Sequence, residues 1–180
     1  MSARLTRRAA LGGAAAVTLA SCGGGDPPPS AGPEAGSGAA LLRSLTAFEH
    51  AGAAAWAAIG ERLRGEARNY AATIQTREER HTDRLSELIR ELGGEPPAGR
   101  PPEDYAPQFP RMRTESEALR FAADLEERLV RAHLRALQTL PREDQRGVVA
   151  EIAAEEAEDL AAVYALSGEP AAQLPFVTGT

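Results

Sequence analysis

The chain has 180 residues, enough for one domain plus tails, with 4% aromatic residues, a single cysteine and a net charge of −6. The acidic balance, with no basic stripe carrying interleaved aromatics, excludes generic nucleic-acid binding, and the lone cysteine excludes an intrachain disulfide. Few aromatics and abundant alanine favour helices over sheets, and arginine supplies every basic residue because the sequence contains no lysine.

Residues 1–21 read as an export signal. Arg4, Arg7 and Arg8 make a positive start, and Ala9 to Ala20 is a run of small and apolar residues too short to span a bilayer. Thr6-Arg7-Arg8 resembles the twin-arginine signal, with Ala10 where that signal usually has a large apolar residue. Leu19-Ala20-Ser21-Cys22 resembles the bacterial lipobox. That resemblance implies cleavage before Cys22, a lipid on Cys22, and a protein tethered to the extracytoplasmic face of the cytoplasmic membrane. Losing three arginines would take the net charge to −9, so the lipid rather than surface charge would hold the membrane. Residues 22–38, rich in glycine, proline and serine, read as a lipidated cysteine and a tether unable to bury a core.

Four helices are expected over residues 39–168. The first runs from about Ala39 to Arg64, with Ser37 as a candidate N-cap and a stripe at Leu42, Leu45, Glu49, Gly52, Trp56, Ile59 and Leu63. The spacing alternates three and four, so Glu49 shares the face of the leucines. Gly65 marks a reversal into the second helix, whose stripe is Ile74, Glu78, His81, Leu85, Leu88 and Leu92. Glu79 is the competing register, but its neighbours Thr82 and Asp83 turn it outward. Gly94 to Arg113 is proline-rich and too long for a tight turn, which predicts a crossover running the length of a bundle.

The third helix opens on Thr114-Glu115-Ser116-Glu117, a capping-box pattern. Its stripe is Leu119, Ala122, Glu126, Leu129, His133, Ala136 and Leu140, with Glu126 favoured over Glu127 by Leu125, Leu129 and Val130. The fourth helix starts near Pro141, carries Val149, Ile152, Glu156, Asp159, Val163 and Leu166, and stops at Gly168. Glu155 and Glu158 crowd the same stretch, and Glu151 with Glu155 also fits a solvated face. Residues 169–180 form an irregular tail.

Each helix thus carries a carboxylate among core residues, and burying one among leucines is costly unless something pairs with it. Counting about 1.5 Å per residue from the turns at Gly65 and Pro141 puts the acids of each hairpin within roughly one turn of a common level. Six side chains converge on this reckoning: Glu49, Glu78, His81, Glu126, Glu156 and Asp159. A divalent cation is the partner that makes their company tolerable. His133 lies about two turns from the Glu126 level and reads as a satisfied core histidine, His50 as an edge residue, and Trp56, Tyr70 and Tyr164 as packing.

The order Glu49, Glu78-Glu-Arg-His81, Glu126, Glu156-Ala-Glu-Asp159 resembles the ferritin-like di-metal carboxylate family, over roughly residues 39–168. In that family two helices each give one Glu and two give Glu-x-x-His. The resemblance implies an all-α four-helix bundle with a long crossover, two iron or manganese ions as cofactors, and oxidase, ferroxidase or peroxide-handling chemistry. Asp159 stands where the family has histidine. One nitrogen ligand instead of two favours harder ions such as manganese, or weaker iron binding. It also leaves open the alternative of a metal-free scaffold or binding module of the cell envelope. A homodimer is compatible with the fold, whereas a lipidated tether would obstruct closure of a storage cage.

Overall fold

In the computed structural model the described residues are 33–168, with side chains described from residue 38. Arg7, Arg8 and Cys22, on which the expected export and lipid signals rest, and residues 169–180 lie outside them. Among the described residues there are five α-helices and no strand. They are α1 (Pro33–Gly60), α2 (Gly65–Glu91), the short α3 (Pro102–Tyr105), α4 (Glu115–Thr139) and α5 (Glu143–Ser167). None of them is long and apolar enough to cross a membrane.

Helix ends follow local chemistry. Thr114 caps α4 reciprocally: its hydroxyl accepts from the Glu117 N–H at 3.2 Å, and the Glu117 carboxylate accepts from the Thr114 N–H at 3.1 Å. Gly65 opens α2 at φ +54°, and Gly168 closes α5 at φ +70°, both in the left-handed region that glycine enters without steric cost. Two expectations are corrected. Helix α1 begins at Pro33, so Ser37 lies inside it and is not its N-cap; proline is well suited to a first helical turn. It ends at Gly60 rather than Arg64, because residues 61–64 make the turn and Arg64 takes the extended N-cap conformation of α2.

Helices α1 with α2 and α4 with α5 form two hairpins packed face to face, α1 against α4 and α2 against α5. The proline-rich crossover is not fully extended: α3 and a 3-10 turn at Ala106–Gln108 interrupt it. It is fastened to the bundle by buried Tyr105 and by Phe109, whose ring lies 5.8 Å from that of Phe121. His50 Nε2 also meets the Pro97 carbonyl at 3.2 Å, so this histidine serves the crossover.

The stripes read from spacing are the buried faces, with only Leu92 and Leu166 half-exposed at the ends. The core is nonetheless not continuous. One apolar cluster gathers Trp56, Ile59, Leu63, Ile74, Leu119, Leu125, Leu129 and Val163. The other gathers Leu42, Leu45, Leu85, Ile89, Ala136, Val149 and Ile152. Between them lies a layer of buried charge, to which each of the four long helices contributes.

Candidate metal centre

Glu49 from α1, Glu78 and His81 from α2, Glu126 and His133 from α4, and Glu156 and Asp159 from α5 are all 0% exposed. Each sits in a helical stripe that must face inward for its leucine and isoleucine neighbours to be buried, so the polar side chains are carried in with them. Residues Glu49, Glu78, His81 and Glu156 each bring one ligand atom into a group whose members all lie within 4.8 Å of one another. His81 Nδ1 is 2.8 Å from Glu156 Oε1 and 3.6 Å from Glu49 Oε2. Glu126 and Asp159 stand beside this group rather than in it, interacting with Glu156.

Partners outside the layer fix several of these groups. Trp56 Nε1 donates to Glu126 Oε1 at 2.6 Å. Asp159 Oδ1 accepts from Tyr70 OH at 3.0 Å and from Arg77 Nη1 at 2.5 Å. His81 Nε2 lies 3.1 Å from Glu155 Oε2, which also accepts from Arg80 at 2.6 Å. With Nε2 donating to Glu155, Nδ1 is the ring nitrogen left to present a lone pair to the interior. Gly52 gives Glu78 its room: a Cβ there would lie 3.0 Å from Glu78 Oε2.

His133 corrects the expectation of a satisfied core histidine. Its Nδ1 donates to the Leu129 carbonyl at 3.0 Å, but Nε2 comes within 2.9 Å of Glu49 Oε1 without making a hydrogen bond. The cause is the antiparallel pairing of α1 with α4. Glu49 faces His133 while Trp56, seven residues on, faces Glu126, seven residues back. Levels counted within each hairpin missed this two-turn stagger between the hairpins. Arg77 and Glu155 were also missed as site neighbours; Arg77 is one residue off the Glu78 stripe, and the spacing of Glu151 and Glu155 equally fits a solvated face.

Proton affinities reflect crowding. Burial, and then the charges of Glu156 and Glu49, push Glu78 well above the ordinary carboxylate value of 4.5. Burial and the charge of Glu156 do the same to Glu126, and burial and the charge of Glu49 to Glu156. Burial would raise Glu49 too, but interactions with Glu78, His133 and His81 outweigh it and hold Glu49 below the usual range. Asp159 stays raised because burial exceeds the pull of Arg77 and Tyr70. The Tyr70 phenol is pushed up to about 12 by burial and by the Asp159 charge.

The donor set fits a divalent cation. Both oxygens of Glu49, Glu78 and Glu156, one each of Glu126 and Asp159, and the ring nitrogens His81 Nδ1 and His133 Nε2 are buried with no hydrogen-bond partner. Buried polar atoms are ordinarily satisfied, and so many orphans in one layer would be a large penalty in a bare fold. Ligand atoms about 2.0–2.4 Å from one ion lie between about 2.8 and 4.8 Å apart, which matches the separations of the Glu49, Glu78, His81 and Glu156 group.

The family model described as the ferritin-like domain matches residues 38–169, and the chain belongs to that family. A comparison with curated proteins gives no match. Among solved structures, a conserved hypothetical protein, rv2844, from Mycobacterium tuberculosis has a TM-score of 0.65 at 16% identity, covering 73% of this chain and 98% of that one. The bacterioferritin of Desulfovibrio desulfuricans, described with a diiron site in different catalytic states, has a TM-score of 0.62 at 18% identity, covering 78% of this chain and 84% of that one. At these identities the two structures establish the fold. The expected all-α, ferritin-like bundle is therefore what the chain forms, with a buried carboxylate–histidine cluster able to hold metal.

Proposed function

We propose that this ferritin-like protein is a metalloprotein that holds iron or manganese in the buried layer and handles O2 or peroxide there as an oxidase, ferroxidase or peroxide-consuming enzyme. The observation that carries the reading is the set of unpartnered oxygens on Glu49, Glu78 and Glu156 around His81 Nδ1. Glu49, Glu78, His81 and Glu156 would hold an ion, with Glu126 and Asp159 at the adjoining position. When bound, iron or manganese would supply one-electron redox chemistry toward O2 or peroxide. The protein's own part is to orient and to exclude water. Glu155 sets the tautomer of His81, Trp56 fixes Glu126, and the apolar clusters on both sides keep the layer dry. The bacterioferritin neighbour and its described diiron site support iron as one candidate. The reading includes anchorage at the outer face of the cytoplasmic membrane through a lipid on Cys22, argued from the lipobox resemblance alone.

The test is elemental analysis of the full chain purified from cells supplied with iron and manganese. The reading expects near-stoichiometric metal that Glu78→Ala removes; fewer than about 0.2 ions per chain, unchanged by that substitution, would contradict it. A metal-free scaffold is the competing reading, and the Arg77–Asp159 ion pair, a cation already in the layer, favours it. Chelator separates the two: it should lower the melting temperature of a metalloprotein and leave a bare scaffold unmoved.

A further inference from the structure

The two halves of the charged layer are unequal. On one side both oxygens of Glu49, Glu78 and Glu156, and the nitrogens His81 Nδ1 and His133 Nε2, are without hydrogen-bond partners. On the other side each acid already has one oxygen engaged. Glu126 Oε1 takes the Trp56 N–H at 2.6 Å, and Asp159 Oδ1 takes Arg77 and Tyr70. Only Glu126 Oε2 and Asp159 Oδ2 remain free there, and no histidine nitrogen joins them.

Arg77 is the unusual member. It precedes Glu78 by one residue, so on α2 it lies about 100° around from the buried stripe, at the rim. Its long apolar stem lets the guanidinium reach inward from a 21% exposed side chain to an Asp159 carboxylate that is 1% exposed. A second divalent ion bound through Asp159 would meet this fixed positive charge in a dry layer, where like charges repel strongly.

Resting on the proposed metal-binding reading, we infer that the centre loads in two unequal steps. One ion binds tightly among Glu49, Glu78, His81 and Glu156, and Arg77 holds the place of the second. A second ion enters the Glu126–Asp159 side only weakly, when the guanidinium gives up Asp159. Arg77 is thus a positioning residue that sets how many ions the centre carries, by supplying the charge that a second ion would bring.

The test is a titration of the full metal-free chain with Mn2+, with free ion counted by electron paramagnetic resonance. The wild type should bind one ion per chain, with a second at least about 100-fold weaker. Arg77→Gln should tighten the second step at least about tenfold and leave the first within about threefold. Arg77→Lys, which keeps the charge, should retain the wild-type pattern. Asp159→Asn should leave the first step intact, and it serves if Arg77→Gln fails to fold. Two ions of equal affinity in the wild type, an unchanged second step in Arg77→Gln, or loss of the first step in Asp159→Asn overturns the proposal while sparing the metal reading. No bound ion in the wild type or in Arg77→Gln sinks both.

Discussion

Replacing Glu78 by glutamine should separate the stability of the metal-free fold from its capacity for metal. Glu78 is 0% exposed, neither of its oxygens has a donor, and Glu49 and Glu156 carry like charge beside it. Glutamine has the same shape, stays neutral at every pH and offers two N–H donors to those neighbours. A hydrogen bond to a charged group contributes about 1.5–3 kcal/mol, so one good contact should stabilise the metal-free chain by about 1–3 kcal/mol. At roughly 2–4 °C per kcal/mol for a chain of this size, the melting temperature in chelator should rise by about 2–12 °C. The same substitution removes a ligand. At an ion concentration a hundred times the dissociation constant, bound metal stabilises by about 2.7 kcal/mol, and Glu78→Gln should forfeit most of that gain. Thermal unfolding followed by circular dichroism, with chelator and then with Mn2+, measures both arms. If Glu78→Gln lowers the chelator-treated melting temperature instead, the Glu78 carboxylate has a stabilising partner in the bare fold and the reasoning fails.

Further outcomes follow from the same geometry. Gly52→Ala improves helix propensity by about 0.5–1 kcal/mol, yet its Cβ would press on Glu78 Oε2 at 3.0 Å. Thermal stability in chelator should therefore hold or rise, while calorimetry shows Mn2+ affinity falling about tenfold. Glu155→Gln loosens the support of His81 Nε2 and should weaken the metal about 10–100-fold with little change in the melting temperature in chelator. The metal-free chain should also lose stability with rising pH. Glu78, Glu126 and Glu156 are raised above 4.5 on folding, so the folded chain keeps protons that the unfolded chain releases, and that stability fades as pH climbs through the folded values. Glu49 and Glu155, lowered on folding, contribute stability that is already complete above the ordinary carboxylate range and so do not offset this loss. Melting in chelator should therefore fall as pH rises above the ordinary carboxylate range, while Mn2+ affinity, which competes with those protons, should rise. A flat or opposite melting profile would contradict the assignment of raised carboxyls.

Much of the fold was legible because the helical stripes are long and regular. Glu49, Glu78, His81, Glu126, Glu156 and Asp159 were placed inward by neighbours such as Leu45, Ile74 and Ile152, and burial follows from that pattern alone. Capping chemistry marked Thr114, and glycine marked the reversal at Gly65 and the helix stop at Gly168. What spacing did not carry was the relation between the two hairpins. Each could be measured from its own turn, but nothing local fixes how far one slides along the other, so the meeting of His133 with Glu49 was missed. Contacts made by long side chains from the rim were equally hidden. Arg77 and Glu155 lie off the buried stripe by one residue, and only the packing of α2 on α5 brings them to Asp159 and His81.

The most direct measurement is an anomalous difference map from crystals of the full chain grown with Mn2+. The account predicts a peak inside the bundle within about 2.0–2.4 Å of Glu49, Glu78, His81 Nδ1 and Glu156. No peak there at saturating Mn2+, with the four side chains instead bonded to ordered water or to one another, would contradict it.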